Sequence, residues 1–286
     1  MTGALLALAA ALCYGVADVA GGLLSRRADF RTVAFLGQAG GLACAVAFSL
    51  FVPVREFAWP AVAWGAPSGI GTGIAMVFLY RGIGSGTMSV VVPVSAVGGV
   101  ALPILVGVAF LGDRPSAMAW AGIAVVLPAL WLVSRSRTDE RDRVRSAVVN
   151  GLVASVGIGV QYLALAQAGG DAGLWPVAVG RVTALLTIAP MLVRPRAGES
   201  RAPLLPGARA TAWAVATGTV AAAALAFYLL ATGRQLVVIA VVLSSLYPVV
   251  PVLWGVTALR ERLSGGQVAG LAAAGAAVLL LTLPPL

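Results

Sequence analysis

Residues 103–122 read PILVGVAFLGDRPSAMAWAG, and 148 positions further on residues 251–270 read PVLWGVTALRERLSGGQVAG. At that offset Pro103 meets Pro251, Leu105 meets Leu253, Gly107 meets Gly255 and Leu111 meets Leu259. The register continues through Asp113 and Glu261, Arg114 and Arg262, Ser116 and Ser264, and Gly122 and Gly270. In so biased a composition some Gly and Leu matches arise by chance. An acid–Arg–x–Ser loop matched between two proline-containing apolar segments does not, and it marks an internal repeat. Without changing the offset, Tyr14 falls on Tyr162 and Tyr80 on Tyr228.

Outward from this pair the chain is apolar almost throughout. It has 286 residues, 60% of them hydrophobic and 10% charged, with a mean hydropathy of +0.99. A water-soluble domain needs more charge to cover its surface, so the composition is that of a membrane protein. The apolar runs reach the roughly 20 residues that span a bilayer core as a helix. A transmembrane barrel would show short alternating strands instead. All 19 basic residues are Arg, which with 10 acids gives a net charge of +9. These arginines stand singly or in small groups between apolar runs, as topology signals do, and nucleic acid is not an expected partner. Cys13 and Cys44 both fall in apolar runs and read as small buried hydrophobes rather than a disulfide framework. The N-terminus has no basic segment before its apolar run, so it reads as a retained first helix, not a signal peptide.

Apolar runs bounded by charge, Pro or Gly predict ten transmembrane helices, at about 3–24, 31–53, 59–80, 88–111, 116–134, 147–167, 174–193, 209–230, 236–259 and 265–283. The most polar stretch, Ser134–Arg145, divides the chain almost in half. The expected organisation is a first five-helix repeat over 1–134, a charged linker loop over 135–146 and a second five-helix repeat over 147–286. Five is odd, so the second repeat enters the membrane inverted relative to the first. Inverted repeats recur in secondary transporters, with the site near the midplane where the halves meet. The loops after the odd-numbered helices hold 15 of the arginines. The loops after helices 2, 4 and 8 hold Arg55, Arg114 and Arg234. That bias predicts odd loops in the cytoplasm and both termini outside.

The two quoted blocks resemble the EamA-type repeat of the drug/metabolite transporter superfamily: a proline-containing helix, an apolar stretch, a short acid-bearing loop and a Gly-containing last helix. Glu261 fits the usual acid of that loop, and Asp113 departs from it by one methylene. Gly180–Leu186, GRVTALL, resembles the Arg-containing run of the second helix of each repeat, where the first half has Gln38 in the same neighbourhood. The resemblance extends over the whole chain as two copies. It implies a ten-helix permease of a bacterial cell membrane, often an exporter of metabolites, amino acids or drugs, with a cavity between the halves. Members of the family commonly work as proton-coupled antiporters or facilitators, as a monomer or homodimer.

Few residues could carry chemistry. Asp18 is the one acid well inside an apolar run, six residues before Leu24. An acid at membrane depth usually faces the protein interior or a water-filled cavity. Asp18 then reads as a proton or cationic-substrate site, with Tyr14 one turn deeper on the same face. Alternatively helix 1 ends near Val19 and Asp18 sits among wet headgroups. Arg181 reads as a ligand for an anionic group or as an arginine snorkelling to the interface. Helices 1 and 7 enter from opposite faces, which separates Asp18 and Arg181 by about 12 Å in depth and predicts no salt bridge between them.

Tyr14 and Tyr162 are deep enough to line a cavity beside Gln161, whereas Tyr80 and Tyr228, near helix ends, read as interfacial-belt residues. Ser95, Ser244 and Ser245 read as bonding their own helix backbone. Pro93, Pro103, Pro248 and Pro251 interrupt helices 4 and 9, as bends that shape or gate a site or as tolerated kinks. Gly37–Gly41, Gly69–Gly73 and Gly266–Gly270 have GxxxG spacing and read as close helix packing. The acids at Asp113 and Glu261 read as ties between helices. No catalytic or metal-ligating constellation, cofactor motif or P-loop stands out. The function expected is secondary transport of a small organic solute by alternating access, with proton coupling. The competing class is an integral membrane enzyme or a non-transporting partner subunit.

Overall fold

The apolar runs fold as helices and, among the described residues, no strand occurs. The computed structural model describes residues 2–51, 54, 59–84, 88–134, 141–169, 172–193, 207–250, 253 and 264–282. In chain order the helices are α1 (Thr2–Leu24), α2 (Phe30–Ser49), α3 (Trp59–Ala63), α4 (Gly65–Gly84), α5 (Met88–Phe110) and α6 (Ala117–Ser134). They continue as α7 (Arg141–Ala168), α8 (Trp175–Val193), α9 (Ala208–Thr232), α10 (Val237–Ser244) and α11 (Gly265–Thr282). Among the described residues six spans, including α1, α2, α9 and the joined Trp59–Ile83, are long and apolar enough to cross a membrane.

Helix boundaries follow local chemistry. Asp29 caps α2, its Oδ1 accepting from the backbone N–H groups of Arg31 and Thr32 at 2.9 and 3.4 Å. Its carboxylate also pairs with the Arg31 guanidinium at 3.0 Å, while Arg31 Nη1 donates to the Met191 carbonyl at 3.2 Å. The loop after α1 is thereby tied to the end of α8. Asp113, in the loop after α5, accepts from the N–H of Val238 at 2.9 Å and satisfies a free donor in the first turn of α10. This is the helix tie expected of Asp113; Glu261 lies outside the described residues.

Three boundaries differ from the sequence reading. The third predicted helix is broken at Trp64 into α3 and α4. Residues 141–146, expected in the linker, are the opening turns of α7. The ninth predicted helix stops at Ser244 and turns at 245–248, so Pro248 follows a genuine interruption. Proline cannot supply an N–H and crowds the turn before it. Pro93 and Pro103, by contrast, lie within α5, which stays helical through both. Pro251 lies outside the described residues.

Packing is interleaved. The principal neighbour of α1 is α9, and α2 lies against α9 and α8. In the same way α4 lies against α7 and α8, α5 against α7, and α6 against α11. Small residues allow these approaches: a β-carbon at Gly218 would overlap the Gly37 carbonyl, and one at Gly69 the Gly180 carbonyl. Two of the GxxxG pairs therefore pack helices within the chain, as expected.

The apolar and polar residues are distributed as a bilayer requires. Leu5, Leu105, Leu186 and Trp213 lie on the outside, whereas Arg181, Gln38, Gln161 and Asn150 are buried. In water an outer surface so rich in large apolar side chains would associate; in lipid it is the ordinary covering of a bundle.

Candidate functional site

α1 places Tyr14 and Asp18 one turn apart, and its helical course past Asp18 to Leu24 removes the reading in which the helix ends early. Asp18 is partly buried. Opposite it, α7 contributes Gln161 and Tyr162. The Gln161 amide Nε2 donates to the Tyr14 hydroxyl at 3.0 Å, and its Oε1 accepts from the Thr72 hydroxyl of α4 at 2.7 Å. Ser68, one turn before Thr72, donates to the Gln161 carbonyl at 3.1 Å. A chain of polar contacts thus runs α4–α7–α1 through the interior, where water cannot substitute for lost partners.

Aromatic rings enclose one side of this chain. Tyr14 meets Tyr162 edge to face, at 6.1 Å between centroids and 89° between planes. Tyr162 lies 4.6 Å from Tyr228, and Tyr14 lies 6.4 Å from Tyr247. Tyr80 and Tyr228 are not belt residues: they are 1% and 0% exposed. The Tyr228 hydroxyl donates to the Tyr162 carbonyl at 2.9 Å. The Tyr80 hydroxyl sits against Gly21 of α1, where any β-carbon would overlap it. Nearness to a helix end misled the sequence reading, because these ends are covered by neighbouring helices.

Arg181 of α8 is 1% exposed, so it does not snorkel. Its Nη1 donates to Gln38 Oε1 of α2 at 2.7 Å, while Nε and Nη2 are buried with no partner in the protein. Among the described residues no ion pair joins it to Asp18. Ser95 and Ser245 bond their own helices, to the carbonyls of Val92 and Val241, as expected. The buried Ser244 hydroxyl does not; it has no partner in the protein.

Tyr14, Gln161 and Tyr162 are therefore brought into contact, with Asp18 one turn from Tyr14 on α1, and Arg181 of α8 is buried against Gln38 of α2. Ser68, Thr72, Tyr247 and Gln38 join them, although Gln38 entered the sequence reading only as a counterpart of Arg181. Thr72 and Ser68 lie in a Gly-rich helix, and nothing in their local sequence distinguishes them from hydroxyls bonded to their own turn.

The model of the EamA-like transporter family matches residues 1–135. No curated protein matches the sequence significantly. Among solved structures, the crystal structure of a protein superposes with a TM-score of 0.73 at 18% identity, covering 98% of this chain and 96% of the other. At that identity the likeness is one of fold.

Proposed function

With residues 1–135 belonging to the EamA-like transporter family of the drug/metabolite transporter superfamily, we propose that this multi-pass membrane protein is a secondary transporter that moves a small organic solute by alternating access between two inverted five-helix repeats. The observation that carries the reading is the Thr72–Gln161–Tyr14 chain, which joins helices from both halves around buried polar groups.

Helix bounds support the repeat. Moving α6, Ala117–Ser134, by 148 positions gives 265–282, the bounds of α11. Exchanging the halves also turns the α1–α9 contact into α7–α4 and the α2–α9 contact into α8–α4, both of which are principal contacts. Pro248, at the break after α10, supports a bend there that gates the path, whereas the continuous α5 gives Pro93 and Pro103 the role of shaping it. Asp18 carries the proton or a cationic group, with Tyr14, Gln161 and Tyr162 lining the site. The direction we propose is export.

Uptake into proteoliposomes holding the purified chain, screened over amino acids, cationic drugs and sugar phosphates with and without a pH gradient, tests this. A saturable flux that collapses with the gradient is expected, and Asp18→Asn should lose the gradient-driven part. An Asp18→Asn protein with unchanged pH dependence removes Asp18 from the mechanism. The absence of flux for every class shifts the reading to a non-transporting subunit.

A further inference from the structure

Arg181 presents an unusual inventory of hydrogen bonds. Of the three guanidinium nitrogens only Nη1 has a partner, the Gln38 side-chain oxygen at 2.7 Å, and Nε and Nη2 are buried without one. Nε and Nη2 share one edge of the planar group, and that edge matches the two oxygens of a carboxylate. Among the described residues no carboxylate forms an ion pair with Arg181. A buried cation without a counter-ion is costly and, at membrane depth, marks a functional position. Gly41 of α2 contributes directly: a β-carbon there would stand 3.1 Å from Nε and crowd the edge.

We propose that the Nε–Nη2 edge of Arg181 receives the carboxylate of the transported solute, so that the substrates are small organic carboxylates. This rests on the transporter reading and narrows it. Gln38 acts differently, as a positioning residue. By accepting from Nη1 it holds the guanidinium in place and leaves the Nε–Nη2 edge, beside Gly41, open. One cation matches one negative charge. A phosphate dianion would remain half-neutralised by the Arg181 guanidinium alone.

The test uses the full chain and matched probes: butyrate with butyramide, 3-phenylpropionate with its amide, alanine with alaninamide, and inorganic phosphate. Binding is read as a shift in thermal unfolding in detergent, and transport is read separately in proteoliposomes. Each carboxylate is expected to bind about tenfold or more tightly than its amide, the difference of one charge-assisted hydrogen-bonded pair. The alanine pair separates zwitterions from simple carboxylates within the same class. Arg181→Lys, which keeps the charge and loses the fork, should lower carboxylate affinity about tenfold and leave amide binding within about twofold. Gln38→Ala should weaken carboxylates by a smaller factor and serves as the readout if an Arg181 variant does not fold.

Equal binding of carboxylates and amides to the unmodified protein overturns the proposal, as does the absence of carboxylate binding or a preference for phosphate. Carboxylate binding lost in Arg181→Lys but accompanied by no flux leaves the site standing and removes the transporter reading instead.

Discussion

Tyr14 and Tyr162, 148 positions apart in the chain, meet edge to face in the interior, their centroids 6.1 Å apart and their planes at 89°. In the proposed arrangement of two inverted repeats, a residue and its counterpart touch one another only near the axis that would relate the copies. The Gln161 amide, beside Tyr162, donates to the Tyr14 hydroxyl at 3.0 Å, so this contact is polar as well as aromatic. The proposed solute site includes this contact between the first and second halves of the chain.

The Tyr14–Gln161 bond should be measurable as a coupling. In a double-mutant cycle of Tyr14→Phe and Gln161→Leu followed by thermal unfolding, the two changes should be non-additive by about 0.6 kcal/mol, the average for hydrogen bonds between membrane helices, and by no more than about 1.7 kcal/mol. Additive effects would mean that the bond contributes nothing to stability.

Glycine substitutions should divide sharply by location. Gly218→Ala puts a methyl on the Gly37 carbonyl and should destabilise the protein by about 1–3 kcal/mol or more, since two backbones must separate. Gly275→Ala on α11 meets nothing within 4 Å and should stabilise by up to about 1 kcal/mol through helix propensity. Thermal unfolding of the two variants reads this directly, and equal effects would contradict the close approach of α2 and α9.

The arginine bias makes a topological prediction. In a protein lacking Cys13 and Cys44, Arg26→Cys after α1 and Arg114→Cys after α5 should be labelled by an impermeant thiol reagent from opposite sides of the membrane. Arg26→Cys should react from the cytoplasm. Labelling of both from one side would break the alternation of helices on which the inverted arrangement depends.

Much of this fold is legible in the chain because a bilayer leaves it few choices. Every backbone donor and acceptor at membrane depth must be satisfied internally, so apolar runs of spanning length become helices. α1, α6 and α11 accordingly begin and end within about two residues of their expected positions. The third and ninth runs show the limit, since hydropathy registers neither the break at Trp64 nor the turn at 245–248.

Membrane class, most of the helical spans, the 148-residue register and the short roster of polar residues that a lipid-embedded chain can carry are legible in the chain alone. Hydropathy and the chemistry of isolated side chains suffice for these, because each is a property of a segment taken alone. Which polar residues share a surface is settled by the packing of helices far apart in the chain. The Arg181–Gln38 bond spans 143 positions and the Thr72–Gln161 bond 89. The burial of Tyr80 and Tyr228 likewise comes from helices distant in the chain. Those relations depend on which helix faces lie together, and glycines such as Gly41 and Gly218 govern that through the side chains they lack.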